Sequence, residues 1–261
     1  MSYTTVSGLF TGICDAIRAK EGSTDVINHQ DIPARIAALS GGSSVSDTPP
    51  LESPLVWYDK SCYGANSSVL TNKGSLTDAI NVVGLQLYDT DNALLISTSG
   101  AIYCRFSETY NDFTMYSVVK VVTRSGADTD YPIIGADGTT DNYVKLAFIA
   151  QSATSIRATL RSNSGDLAYY PHADKYAILA ITCTAGVQVA YVNGCPFYRQ
   201  TNSSNFQITN LCQKCKYAAD DPISAVGTNA YAVHATMAYN AAHTFDEVNQ
   251  MTGWLRAKYL A

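Results

Sequence analysis

The segment YAILAITCTAGVQVAYVNGCPFYR, at positions 176–199, constrains the fold more than any other part of the chain. It is rich in β-branched and aromatic residues, which favour strands. The turn sequence TAG and the pair Asn193-Gly194 divide it into three parts. Asn-Gly is the strongest two-residue hairpin signal, because a type I′ turn needs two residues that accept a positive φ angle. The segment therefore predicts three consecutive antiparallel strands.

Further segments of the same kind occur throughout Leu55–Ala261, for example at 101–106, 112–122 and 143–150. Turn-forming clusters such as TRSGADTD, GADGTTDN and RSNSGD separate them. Hydrophobic residues make up 46% of the chain and charged residues 15%, which is typical of a globular core. Short strands at this density predict a mainly β fold, an antiparallel β-sandwich.

The first forty residues have a helical period instead. A first helix is predicted from about Val6 to Lys20, with Gly22 at the position that commonly ends a helix. A second helix is predicted from Asp31, a good N-cap, with Pro33 in its first turn. Seven apolar residues form stripes along these two helices: Leu9, Phe10, Ile13, Ile17, Ile32, Ile36 and Leu39.

A Gly/Ser/Pro-rich segment at 41–54 has the composition of a linker. It predicts three parts: a helical module at 1–40, a linker at 41–54 and a sandwich at 55–261. A helix pair this small leaves its apolar stripes exposed unless the following domain or further copies cover them. A separate linker disfavours the first arrangement, so the stripes are predicted to be an oligomer interface.

Charge and apolar runs exclude two classes of partner. The net charge is −5 and no basic cluster occurs, so we expect no nucleic-acid binding. No apolar run approaches the roughly 18 residues of a membrane span, and the start of the chain lacks the pattern of a signal peptide. We therefore expect a protein made in the cytoplasm, without membrane insertion.

Seven cysteines occur at irregular spacing. Without an export signal, they are predicted to be small buried hydrophobes rather than a disulfide framework. The sequence CQKC, Cys212–Cys215, supplies half of a zinc site, and a second pair at suitable spacing is missing. A loop between strands is the preferred interpretation, with structural zinc or redox chemistry as the alternative.

The last segment is predicted to be a packing helix. Thr244 and Glu247 have the spacing of a capping box. The apolar residues that follow at helical spacing are Val248, Met251, Leu255 and Tyr259.

Three strings resemble concanavalin A-like lectin domains of the laminin-G type: FTMYSVVKVV, VQVAYVNGCPFY and HATMAYNAAHTFDEVNQMTGWLRAKYLA. The shared features are the central Y-V-N-G hairpin and a late strand that leads into a short helix. The resemblance covers about Leu55 to Ala261. It implies a jelly-roll sandwich, and in that family a calcium ion is often held at the rim of the sheet.

The string DAIRAK-G-TD-IN-QDIPARIAAL, within Asp15–Leu39, resembles a small module of bacteriophage tail fibre and tail tip proteins. This resemblance implies a virion protein of the phage tail that is assembled in the host cytoplasm, which would explain the missing signal peptide. It also implies an attachment and oligomerisation module that contacts other tail proteins and forms a homotrimer.

Catalysis is not expected. Glucanases of the concanavalin A-like fold carry two carboxyl groups about 5 Å apart, on an E-x-D-x-E strand that is absent here. The two D-x-D pairs, Asp89/Asp91 and Asp128/Asp130, lie in turn-like sequence and are expected to be solvated loop acids. No G-x-S-x-G occurs and the four histidines are scattered, so a nucleophilic site has no support.

Binding is better supported, because an exposed tyrosine offers a sugar ring a flat apolar face with a polar tip. The chain has 18 tyrosines, several of them in turn-rich sequence. The candidate ligand-binding residues are Tyr131, Asp141, Asn142, Tyr143, Tyr169 and Tyr170. Carboxylates for calcium are available at Asp128, Asp130, Asp137 and Asp141, but ordinary turns have the same composition, and no metal or other cofactor is predicted.

These observations predict a phage tail receptor-binding protein that binds a bacterial surface glycan without catalysis. One alternative is a structural tail or baseplate component that makes only protein–protein contacts. A third hypothesis is a glycan depolymerase whose acids come from separate strands, which would bring two carboxylates together in one groove.

Overall fold

A computed structural model describes residues 6–22, 24, 26–27, 32, 45–64, 68–123, 132–137, 143–148, 155–159, 168–171, 175–201, 208–218, 221–225 and 230–260. The chain divides into two compact units, Met1–Asp47 and Thr48–Ala261, and this division falls inside the predicted linker. No helix among these residues is long and apolar enough to span a membrane.

The first unit contains the predicted helix, which runs from Val6 to Glu21. It ends at Gly22, where φ is +65° and a residue without Cβ avoids the clash of a left-handed conformation. Ile17, Ile27 and Ile32 are buried in a cluster of their own, against which Ile13 packs.

This cluster changes the interpretation of the apolar stripes. Ile17 and Ile32 were predicted to face other copies of the chain, but they face the interior of their own unit. Ile27 supplies part of the cover, and it belongs to neither predicted stripe. The side chains of Leu9 and Phe10, and all of Ile36 and Leu39, lie outside the described residues. The oligomer interface therefore stays a prediction.

The second unit is built from antiparallel strands. Its described strands are β1 (Val56–Asp59), β2 (Val69–Leu70), β3 (Ile80–Tyr88), β4 (Ala93–Tyr110), β5 (Phe113–Thr123), β6 (Pro132–Asp137), β7 (Tyr143–Phe148), β8 (Ser155–Thr159), β9 (Ala168–Pro171), β10 (Ala177–Thr184), β11 (Val187–Val192), β12 (Cys195–Thr201), β13 (Ile208–Gln213), β14 (Cys215–Ala218), β15 (Asp221–Ala225) and β16 (Ala230–Tyr239).

One large sheet has the strand order β12-β11-β10-β5-β16-β4-β13-β6-β7-β8-β9, with β3 also paired to β4 and β1 to β16. Strands β9 and β12 stand at opposite ends of this order, yet they contact each other, so the sheet curls over on itself. One core cluster fills the interior and joins Val119 and Leu179 to Ile134 and Leu146. The predicted mainly β, antiparallel fold is confirmed, and its jelly-roll topology stays a prediction.

Strand β4 turns a corner within this sheet. Its first part pairs with β16 around Leu94–Ile96, and its second part pairs with β13 from Ile102 onward. Gly84 on β3 has φ +56° at this corner. A Cβ on Gly100 would lie 2.7 Å from the carbonyl oxygen of Gly84. Two glycines therefore permit the close backbone approach that the bend requires.

The predicted three-strand segment is confirmed as β10, β11 and β12. Its two turns are Ala185-Gly186, with φ of 46° and 75°, and Asn193-Gly194, with φ of 54° and 84°. Both residues of each turn have a positive φ, as type I′ hairpin turns require. The Asn193 side-chain oxygen accepts a hydrogen bond of 3.0 Å from the Ile178 amide, which fastens the second turn to β10.

The predicted C-terminal helix spans Phe245–Tyr259 and is confirmed. Its capping box is complete: the Glu247 amide donates to Thr244 Oγ1 over 3.3 Å, and the Thr244 amide donates to Glu247 Oε2 over 2.7 Å. Val248, Met251 and Leu255 are buried, and the helix contacts β10. The Tyr116 hydroxyl and His243 Nδ1, 2.8 Å apart, link β5 to the segment that leads into the helix.

Most of the described cysteines are buried, as the sequence predicts: Cys62, Cys104, Cys183 and Cys212. Cys195 is exposed. The CQKC sequence joins β13 to β14 through Lys214, which has φ +56°. Lys214 is fully buried, and its ammonium group donates to the carbonyl oxygens of Ser97 and Thr98 at the corner of β4.

Candidate functional site

An open groove lies on the outer face of the β11–β12 hairpin, beside the start of the C-terminal helix. Its volume is ≈ 470 Å³. We call it the hairpin groove. Its lining residues are Val189, Tyr191, Pro196, Phe197, Tyr198, Arg199 and Phe245.

The pairing of β11 with β12 explains why these side chains meet. Val189 lies opposite Arg199, and Tyr191 lies opposite Pro196. Residues directly opposite each other in an antiparallel pair project from the same face. The register shifts between Ala190 and Tyr191. This irregularity leaves Phe197 as an additional residue on β12, and such bulges redirect side chains next to binding sites.

Phe245 closes the groove from the side of the helix. It is the first residue of that helix, so the capping box at Thr244 fixes its backbone. Its side chain is 52% exposed although it is large and apolar. An exposed aromatic ring beside other aromatic rings forms the kind of apolar patch that marks a contact surface.

Arg199 supplies the polar end of the groove. It is exposed, and no carboxylate pairs with it in the part of the chain that the structure describes. The guanidinium has five fixed donors and no acceptor. The hairpin groove thus combines the exposed aromatic ring of Phe245 with hydrogen-bond donors that no described carboxylate occupies.

A second polar cluster surrounds Asp59, and its groups are all engaged. The carboxylate accepts hydrogen bonds from Lys73 Nζ at 2.7 Å, from Ser61 Oγ at 2.7 Å and from the Tyr259 hydroxyl at 3.0 Å. Burial by itself raises the pKa of Asp59, but the bonds from Lys73 and Ser61 and the charge of Lys73 outweigh it, so the pKa falls below its ordinary value. Because Tyr259 ends the C-terminal helix, this cluster fastens the helix to β1.

A third cluster lies around Asp91. This carboxylate forms an ion pair with Lys120 and accepts a hydrogen bond of 2.9 Å from the Tyr176 hydroxyl. The hydrogen bond from Lys120 lowers the pKa of Asp91. Asp91 is therefore not the solvated loop acid that the sequence predicts. The ring of His234 packs against that of Tyr176, with centroids 4.3 Å apart, and burial lowers the pKa of His234.

These two clusters differ from the hairpin groove in one respect. Their carboxylates and ammonium groups neutralise each other and hold elements together, whereas the donors of Arg199 have no such partner among the described residues. Within those residues, no group of three or more His, Cys, Asp or Glu is placed to hold a metal ion. The hairpin groove is therefore the candidate site.

The ligand-binding residues predicted from the sequence are not among the described lining residues of the hairpin groove. Tyr131, Asp141 and Asn142 are outside the described residues. Tyr143 is on β7, and Tyr169 and Tyr170 are on β9; only the backbone of these three is described. Of the acids considered for calcium, Asp137 is placed on β6 by its backbone, and Asp128 and Asp130 are also outside the described residues. These assignments stay predictions.

Sequence reasoning missed the hairpin groove. The sequence predicts its hairpin but not its aromatic lining, because the tyrosines predicted to bind a ligand lie in turn-rich sequence and not on β11 or β12. The string CPFYR, which follows the Asn193-Gly194 turn, contains a usable signal, because Phe197, Tyr198 and Arg199 are three consecutive bulky residues. The approach of Phe245 had no sequence signal, since that residue lies far along the chain from β12.

Comparison with known proteins supports the fold. A mutant of Trypanosoma rangeli sialidase that displays trans-sialidase activity superposes with a TM-score of 0.62 at 15% identity, over 98% of this chain and 40% of the sialidase. The binding domain of botulinum neurotoxin DC, in complex with SialylT, superposes with a TM-score of 0.57 at 14% identity, over 78% of this chain and 52% of that domain.

The chain thus spans about 40% of the sialidase and about half of the toxin binding domain. At these identities the likeness shows a shared fold. No protein-family model and no curated protein sequence matches the chain.

Proposed function

We propose that the unit Thr48–Ala261 binds carbohydrate through the hairpin groove. The observation that carries this proposal is the exposed ring of Phe245 at an open groove that Tyr191, Phe197 and Tyr198 also line, next to guanidinium donors that no described carboxylate occupies. Sugar rings present apolar C–H faces and hydroxyl groups, and aromatic planes with a few polar groups complement both. The fold likeness to a toxin binding domain in complex with SialylT and to a sialidase supports the same class of ligand.

The test is an immobilised glycan panel of neutral and acidic oligosaccharides, probed with the full chain and with Phe245→Ala. If a sugar covers the exposed half of the Phe245 side chain, Phe245→Ala removes about half of the energy of burying a whole Phe side chain, or about 0.8–1.5 kcal/mol, which weakens binding roughly 4- to 12-fold. Leu87→Ala is the matched control, because Leu87 is 44% exposed on β3 and does not line the groove. Absence of saturable binding to every glycan would refute the proposal.

We propose further that binding is not accompanied by catalysis. In support, the carboxylates of Asp59 and Asp91 are paired with Lys73 and Lys120, and neither of them lines the hairpin groove. The sialidase likeness makes a direct assay necessary: the chain is incubated with each glycan that it binds, and released sugar is measured. Release above that of a heat-inactivated sample would favour the depolymerase hypothesis.

The biological setting that we propose is the tail of a bacteriophage, with the first unit as the attachment module. This proposal rests on the resemblance of Asp15–Leu39 to tail fibre and tail tip modules. Several copies on one fibre would raise a weak site to useful avidity. Antibodies against the chain should label the tails of phage particles that carry it in electron micrographs, and light scattering should give the mass of a trimer. Unlabelled tails would remove the phage assignment and leave carbohydrate binding untouched.

A further inference from the structure

The charge of the hairpin groove narrows the class of ligand. Arg199 is the charged residue among its described lining residues, and its guanidinium lies on the same sheet face as Val189 and Tyr191. No shielding carboxylate pairs with it in the described parts of the chain. A guanidinium matches the two oxygens of a carboxylate in a bidentate arrangement.

We infer that the hairpin groove selects sugars that carry a carboxylate, with Arg199 as the ligand of that carboxylate and the ring of Phe245 beside the sugar. This inference rests on the proposed carbohydrate binding and specifies its substrate class. The chain has a net charge of −5, so its overall field does not attract acidic glycans. Selectivity for a carboxylate must then come from a local cation, and among the described residues that line the groove this cation is Arg199.

The nearest carboxylates on the helix do not cancel this preference. Glu247 accepts hydrogen bonds from the backbone and side chain of Thr244, and these bonds lower its pKa and hold it in the capping box. Asp246 is exposed, so solvent screens it. Neither of the two lines the groove.

The test uses sialyllactose, its methyl ester and lactose, together with the carboxylated and neutral members of the glycan panel. Titration calorimetry measures each affinity for the full chain, for Arg199→Gln and for Arg105→Gln. Arg105 is a matched control, because it is an exposed arginine on β4 that does not line the groove. Circular dichroism melting curves verify that every variant is folded.

The expected result is that the chain binds carboxylated glycans and that Arg199→Gln weakens this binding about 10- to 100-fold. This is the loss of affinity expected when one charge-assisted hydrogen bond is removed. Arg105→Gln should leave it unchanged, and esterification of the carboxylate should mimic Arg199→Gln. Binding confined to neutral glycans, or carboxylate binding that Arg199→Gln does not alter, would overturn the inference while carbohydrate binding stands. If the chain bound no glycan at all, the proposed function itself would fail.

Discussion

Gly194 provides the sharpest test of the backbone conformation that the second hairpin turn requires. Its φ is +84°, and a Cβ at this position would lie 2.6 Å from Asn249 Oδ1 on the helix. Gly253, on the same helix, is the matched site, because a Cβ there has no atom within 4 Å. The same substitution, glycine to alanine, should therefore have opposite effects at the two positions.

The expected magnitudes follow from backbone conformation. An L-residue in the left-handed region costs about 1–2 kcal/mol, so Gly194→Ala should lower the free energy of unfolding by about this amount. Asn249 is exposed, and the end of its side chain can move away, so the contact adds little. Gly253→Ala should raise the free energy of unfolding by about 0.5–1 kcal/mol, since glycine disfavours a helix interior.

Urea denaturation of the two variants and of the unchanged chain measures both effects. In thermal unfolding, about 2–4 °C per kcal/mol is expected for a unit of this size. Combining Gly194→Ala with Asn249→Ala separates the effect of the contact with Asn249 from the effect of the positive φ at position 194. If the positive φ dominates, Gly194→Ala lowers the free energy of unfolding by the same amount whether or not Asn249 is present. A Gly194→Ala variant as stable as the unchanged chain would refute the reasoning, and so would destabilisation by Gly253→Ala.

Three further predictions concern stability. Asp59→Ala should lower the free energy of unfolding by about 1.5–3 kcal/mol, which is the typical contribution of hydrogen bonds to a charged group. We expect a value near the lower end of this range, because Lys73 is partly exposed. An unchanged urea midpoint would contradict this prediction. Burial lowers the pKa of His234 and His243, so the unfolded chain takes up protons first and stability should fall as the pH drops below about 6.5. A urea midpoint that is flat from pH 8 to 5.5 would contradict this assignment. Ile17→Asp should unfold the first unit, because it places a charge in a buried cluster; circular dichroism should show lost helix, with the melting transition of the β-sandwich retained.

The elements of the fold could be predicted where the signal is local. Asn193-Gly194 defined a hairpin because two adjacent residues must accept positive φ, and Thr244 with Glu247 defined a helix start because a capping box spans four residues. The helix from Val6 was predicted to within one residue of its end for the same reason. Each of these depends only on neighbours in the chain.

The candidate site could not be predicted in this way. Phe245 and Arg199 line the same groove because the β11–β12 hairpin lies beside the helix, and no local sequence pattern predicts that arrangement. Asp91 shows the same limit: its turn-like sequence predicts a solvated acid, but Lys120 on β5 and Tyr176 reach it in the folded chain. The burial of Ile17 and Ile32 shows the same limit, because the sequence does not show that Ile27 completes a cluster with them.

The amino-acid sequence by itself determined the strand-rich second unit, its hairpin turns and its capped C-terminal helix, because propensity and turn conformation are properties of short segments. The tertiary structure decided which side chains share a face, which charges neutralise each other and which remain available to a ligand. Asp59 and Arg199 are both charged groups in the sequence, but one is enclosed by Lys73, Ser61 and Tyr259 and the other opens onto a groove. That difference arises from packing between strands and a helix that are distant in the chain.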